Sequence, residues 1–325
     1  MKKKFMICIS LCLFGFAGTK AQTTDQKKEG IANANGINIA YESFGPENGE
    51  AILLIHGTGA QLITWPEALC EQLAQKGYRV ICFDNRDVGL SSKLDSLGMP
   101  DWSKIIPHIG TCDTTGLPYT LYDMAKDAVG LLDALKIKKA HIVGASMGGA
   151  IAQLVAINFP GRTLSLTSIM ASSGNPALPP GNPEVLKVMG TPPPQTDDIN
   201  MQTKYLFTIY KALGSPAYPT QENVLMQLAG NSVKRSWYPV GTARQAAAII
   251  IADNCDRRAL LKKIRVPVVV IHGEADPVVN IEAGREVAAA IPGAKLITIP
   301  GMGHDLPAAL IPQIRDGILM AAGKK

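Results

Sequence analysis

Short apolar runs recur along the chain at intervals that leave room for a helix between them. They are Ala51 to Ile55, Arg79 to Phe83, Ala140 to Val143, Leu164 to Met170, Val266 to Ile271 and Lys295 to Ile299. Runs of this length, with little alternation, read as strands buried on both faces. Ile37 to Tyr41 differs, because it alternates apolar and polar residues like a strand with one wet face. Between the runs, apolar residues return at helical spacing. Trp65, Leu69 and Leu73 do so with Gly77 as the stop, and Leu121 to Leu135, the stretch after Ser146, Ile281 to Ile291 and about 306–321 follow suit. Strand and helix in alternation predict an α/β fold, a mostly parallel sheet flanked by helices. Residues 22–30 are polar and read as an unstructured lead-in, and 93–118, with its Gly and Pro, as a long loop.

The rhythm breaks after Met170. Residues 176–194 hold seven prolines, which no regular core element tolerates. Helical stretches follow at about 197–213, 221–230 and 242–261, broken by Gly214-Ser215-Pro216 and by Tyr238-Pro239. We read 172–241 as a helical lid inserted into one core made of 22–171 and 242–325. Tyr205, Phe207, Tyr210, Trp237 and Tyr238 concentrate aromatic residues there, in a chain with only 6% of them. Packing of the lid onto the core accounts for these, and any that line a pocket would favour medium-sized apolar substrates.

The first residues change the picture of charge. Lys2-Lys3-Lys4, an apolar run from Phe5 to Phe16 and small residues at Thr19 and Ala21 read as a signal peptide, 1–21, for a periplasmic or secreted protein. Its run is short for a membrane anchor. Cleavage there removes four Lys and no acid, taking the formal net charge from +5 to +1. Nothing basic then remains to suggest nucleic acid or a charged membrane surface as partner, and no stable membrane insertion is expected. Cys70, Cys82, Cys112 and Cys255 lie beyond the leader. An oxidising compartment permits a disulfide among them, and their spacing suggests no zinc site. Cys82 lies inside an apolar run and reads as a reduced core thiol.

Candidate chemistry gathers where strands end. Gly144-Ala145-Ser146-Met147-Gly148 joins a strand to a helix, a sharp turn that pushes a serine hydroxyl out of the sheet and needs small residues two before and two after it. In a parallel sheet, ligands collect at the carboxyl ends of strands. Loops leave that edge at His56-Gly57-Thr58, Ser146, Asp276 and His304. A serine hydroxyl is a weak nucleophile until a base accepts its proton. His304, with an ordinary pKa of about 6.5, suits that task, and Asp276 would hold its tautomer. The backbone N–H groups of Thr58 and Met147 are the natural oxyanion donors. Asp305 competes with Asp276 by adjacency alone. Among the other groups, His56 reads as a turn residue, His272 as structural, His141 as a surface or edge residue and His108 as part of its loop. Asp84 and Arg86 would fix their own turn.

These residues carry a resemblance. His56-Gly57-Thr58-Gly59, Asp84 to Ser91, Gly144 to Gly149, Asp276 and His304 resemble the α/β-hydrolase superfamily in its ester-hydrolase branch, over nearly everything after the leader. Asp84-Asn85-Arg86-Asp87-Val88-Gly89-Leu90-Ser91 also looks like the form found in methylesterases of anthracycline-type polyketides. Asp87 departs from the pattern, since the superfamily more often has Gly there, and the shape of that turn is in question. The resemblance implies an α/β-hydrolase fold with a lid and a serine hydrolase cleaving small-molecule carboxylic esters through an acyl-enzyme, with no metal or cofactor. Cofactor-free haloperoxidase or perhydrolase, lactonase and C–C bond hydrolase activities use the same triad. A haloalkane or epoxide hydrolase would need Asp at position 146. A non-catalytic binding protein on this fold is the remaining class, and it should not label with a fluorophosphonate.

Overall fold

The computed structural model describes residues 27–323, so the expected leader, 1–21, lies outside the described residues. Eight strands form one sheet: β1 (Lys28–Ala34), β2 (Ile37–Phe44), β3 (Glu50–Ile55), β4 (Tyr78–Phe83), β5 (Ala140–Ala145), β6 (Thr163–Ile169), β7 (Val268–Gly273) and β8 (Lys295–Ile299). Their order across the sheet is β1-β2-β4-β3-β5-β6-β7-β8. β2 is antiparallel to both of its neighbours, and the other pairings are parallel.

β3 shows why the sequence carries unbroken apolar runs. Leu53 and Ile55 pack into the cluster that includes the helices Leu121–Ala134 and Met147–Asn158. Ile52 and Leu54 pack on the opposite face, against Glu67–Gln75 and Ile311–Ala321. Successive side chains point to opposite faces, and both faces are covered. β7 divides in the same way, Val268 and Val270 to one face, Val269 and Ile271 to the other. Each such side chain withdrawn from water contributes about 1.5–3 kcal/mol.

β1 departs from the expected lead-in. From Lys28 the chain pairs with β2, Lys28 opposite Ser43 and Ala34 opposite Ile37. An edge strand is held by its backbone ladder on one side and keeps wet residues, so Ile31 is 66% exposed and no apolar run announces it.

Between β6 and β7 the chain forms the helices Pro183–Met189, Ile199–Leu213, Glu222–Arg235 and Pro239–Ala252. The last begins at a residue that reads as a break. Proline at the first helical position gives up only an N–H that has no partner within the helix. Aromatic residues tie this helical insert to itself: Tyr205 meets Trp237 edge to face at 5.9 Å, and the Tyr210 hydroxyl donates to Ser232 Oγ at 3.4 Å. The 93–118 segment is folded down rather than open, because Ile105, with Trp102 and Leu117, packs on Ala247 and Ile251. A disulfide joins Cys112 of that segment to Cys255, while Cys70 and Cys82 are free and buried. Among the described residues no helix is long and apolar enough to cross a membrane.

Candidate active site

Ser146 sits between β5 and the helix Met147–Asn158 with φ 56° and ψ −126°. Backbone in such a region costs about 1–3 kcal/mol and persists only where its surroundings hold it. Here the Ser146 N–H donates to Ile169 O at 2.9 Å, and its carbonyl accepts from Gly149 and Ala150 at 2.8 and 3.2 Å. The small residues around it are required by close approach. A Cβ on Gly144 would stand 2.0 Å from Gly148 O, and one on Gly148 would stand 2.0 Å from Ile55 O.

The structure brings Ser146, His304 and Asp276 into one hydrogen-bonded chain. His304 Nδ1 lies 2.8 Å from Asp276 Oδ2, and Nε2 lies 2.9 Å from Ser146 Oγ. A carboxylate has only acceptors, so the Nδ1–H donates to it and Nε2 is left to accept from the serine hydroxyl. Asp276 is held in turn, its Oδ1 accepting from the N–H groups of Val278 and Val279 at 2.8 and 2.9 Å. The His304 N–H donates to Leu213 O at 2.8 Å, at the end of the helix Ile199–Leu213. Asp305 points elsewhere and accepts from the Ser215 hydroxyl. Burial raises its carboxyl above the ordinary value.

Thr58 and Met147 also meet at this edge. Met147 opens its helix, so its N–H has no acceptor within that helix. The Thr58 hydroxyl reaches Met147 Sδ at 3.5 Å. The loop after β3 is held on both sides, since Asn85 Nδ2 donates to His56 O at 3.0 Å and Gln245 Oε1 accepts from the Gly59 N–H at 2.8 Å. A Cβ on Gly57 would come within 3.1 Å of Ser146 Cβ, so this backbone lies directly against the serine.

The remaining histidines take supporting places. The His56 ring packs at a tilt against Trp65, with centroids 4.9 Å apart, and burial lowers its pKa to about 4, which keeps it neutral. His272 donates from Nε2 to Val279 O at 2.8 Å, with Asp276 Oδ2 at 3.5 Å. His108 pairs with Asp113 inside its own segment at 3.0 Å. His141 is a correction to the sequence reading. β5 lies in the middle of the sheet, and His141 is buried with Ser165 Oγ at 2.8 Å and Glu50 Oε1 at 2.7 Å.

The loop from Asp84 to Ser91 does more than fix its own turn. Asp84 accepts from the Leu62 and Leu90 N–H groups at 2.7 and 2.8 Å and pairs with Arg235 at 2.7 Å. Arg86 forks onto Asp127 at 2.6 and 2.7 Å. Asp87 adopts φ 70°, the left-handed turn that Gly would favour, and its carboxylate takes a two-pronged bond from Arg244 at 2.8 and 2.7 Å. Burial alone would raise the Asp87 carboxyl, but Arg244, the Leu94 N–H and the Tyr119 hydroxyl hold it below its ordinary value. Sequence reasoning missed Arg235, Arg244 and Gln245, which clasp the helices Glu222–Arg235 and Pro239–Ala252 to the loops after β3 and β4. Both side chains of the Asp87–Arg244 pair are 0% exposed. Arg244→Leu strands a buried charge and is expected to cost about 3–5 kcal/mol. Urea unfolding measures it, and adding Asp87→Asn to Arg244→Leu should recover part of the loss.

The fold has its counterpart in known proteins. Residues 50–307 match the family model described as the alpha/beta hydrolase fold, and the chain belongs to that family. It is 29% identical over 298 residues to a rhodomycin D methylesterase of Streptomyces peucetius, covering 84% of this chain and 91% of that one. A 3-oxoadipate enol-lactonase of Acinetobacter baylyi is 28% identical over 255 residues, with 78% and 81% covered. In structure, a meta-cleavage product hydrolase from Pseudomonas fluorescens superposes with a TM-score of 0.70 at 19% identity, over 90% of this chain and 97% of that one. The chain is therefore an enzyme of the hydrolase class.

Proposed function

We propose that the protein is a serine hydrolase of carboxylic esters. The observation that carries this is the hydrogen-bonded chain from Asp276 through His304 to Ser146. Ser146 Oγ attacks the ester carbonyl as His304 Nε2 takes its proton, and the Thr58 and Met147 N–H groups receive the oxyanion. His304 then protonates the leaving alkoxide, and the acyl group remains on Ser146. Water, deprotonated by the same imidazole, attacks the acyl carbon and frees the acid. Asp276 steadies the imidazolium in both halves. No step calls for a metal or cofactor. We read 172–241 as a lid over this edge, because its helices reach the Asp84 loop and the backbone of His304. Residues 1–21 are read as an export signal to the periplasm or beyond, a reading supported by the Cys112–Cys255 disulfide.

Lactone or carbon–carbon bond cleavage is the second reading, favoured by the similarity to the enol-lactonase. A panel of methyl esters graded in acyl size, run beside lactones and a vinylogous 1,5-diketone acid, separates them. We expect the highest kcat/KM on medium-sized apolar methyl esters, above acetyl esters and above emulsified long-chain fats. Faster turnover of lactone or diketone than of every ester would overturn the ester reading.

A further inference from the structure

Two stretches of the 172–241 insert are stitched to the loops that carry His304 and Asp276. Leu213 O accepts from the His304 N–H at 2.8 Å, and the Ala217 N–H donates to Gly301 O at 3.2 Å. Between them lies Ser215, which is 1% exposed. Its Oγ accepts from the Gly303 N–H at 2.8 Å, and its hydroxyl donates to Asp305 Oδ1. Gly303, His304 and Asp305 are thus each bound to the short stretch 213–215. The two backbones touch there, since a Cβ on Gly303 would stand 2.6 Å from Gly214 O. The acid loop is met in the same way, the Asn182 N–H donating to Pro277 O at 2.7 Å. Ser215 is the one residue of the insert that enters these bonds through its side chain.

No step of the reaction above uses Ser215. The imidazole, however, has to meet two partners at once, Asp276 Oδ2 at 2.8 Å and Ser146 Oγ at 2.9 Å. Its ring is carried on the backbone that leaves Gly303, and a small turn of that backbone swings it away from both. A buried acceptor on the Gly303 N–H opposes the turn, because an amide that leaves its acceptor in a buried place goes unpaired. We infer that Ser215 is a positioning residue for the reaction: its hydroxyl, supplied by the insert, holds Gly303 so that the His304 imidazole meets Ser146 and Asp276 together. The inference rests on the triad of the ester reading and gives the insert a second task, support of the base.

Labelling by a fluorophosphonate tests this without the natural substrate, since the reagent consumes Ser146 and draws on His304 as base. In Ser215→Ala the limiting labelling rate should fall by roughly ten- to hundredfold, the effect of displacing a reacting group by about 1 Å. The half-saturating reagent concentration should stay within about threefold, because binding is not what the hydroxyl serves. The best ester of the panel should show the same split, kcat falling while KM holds. Alanine also takes the hydroxyl donor from Asp305, so Ser215→Ala combined with Asp305→Asn is the second variant. Removing that buried charge should bring back the midpoint of thermal unfolding, while labelling stays slow because the Gly303 N–H still lacks its acceptor. Asp305→Asn alone keeps the hydroxyl and is the control. A limiting rate in Ser215→Ala within about threefold of the parent, or one that recovers with the midpoint in the double variant, would overturn the inference and leave the ester reading in place. The expected slowing in a protein that hydrolyses none of the esters would overturn the ester reading and support the inference. A parent that does not label at all would overturn both.

Discussion

Ser146→Ala is expected to lose about 10⁴- to 10⁶-fold in kcat while remaining folded. The two halves of that result have separate causes in the structure. Turnover falls because the hydroxyl bonded to His304 Nε2 is the nucleophile of the proposed reaction, and alanine has none to offer. Folding persists because the strained backbone at this position is held by main-chain groups, Ile169 O before it and the Gly149 and Ala150 N–H groups after it. Ester hydrolysis by protein cleared of contaminating esterase reads the first half, and circular dichroism with thermal unfolding reads the second. Retention of more than a few per cent of the parent rate would remove Ser146 from the mechanism.

The second large effect is expected at Asp276. Asparagine there has to choose which end of its amide faces which partner. Two N–H donors, from Val278 and Val279, converge on the Oδ1 position, and they select the amide oxygen. The NH2 group is then turned toward His304 Nδ1, which must become an acceptor. The ring proton moves to Nε2, where it confronts the serine hydroxyl instead of accepting from it. Asp276→Asn should therefore lose about 10⁴-fold in kcat. Asp305→Asn should stay within about tenfold, because an amide oxygen accepts from the Ser215 hydroxyl as the carboxylate does. Losses in the reverse order, in variants shown to be folded, would move the acid from Asp276 to Asp305.

Much of this site was legible in the sequence. Parallel strands covered on both faces leave unbroken apolar runs, and the residues that end those runs fall on one edge of the sheet. Ser146, Asp276, His304 and Thr58 could be placed together for that reason alone. Local spacing, however, describes contacts a few residues long. Asp87 and Arg244 are partners across a separation of 157 residues, and Arg244 lies in a helix whose apolar composition reads as ordinary core. The same limit hid Gln245 and the choice of Cys112 and Cys255 as the bonded pair. β1 escaped for a different reason, since an edge strand with wet side chains is defined by its backbone ladder.

The clasp between the Asp84 loop and the helices Glu222–Arg235 and Pro239–Ala252 bears on how such enzymes exchange parts. Asp84 and Asp87 are both 0% exposed and present their carboxylates to Arg235 and Arg244. Helices transplanted from a relative would have to bring guanidinium groups to those same two places. Without them, two desolvated negative charges would be left uncompensated, and the chimera would fail at the junction before its pocket was ever tried. Recombination of this segment is thus restricted to donors that share the arginine pair. Diversification by single substitutions within it, which leaves the junction untouched, is the less obstructed route to a new preference.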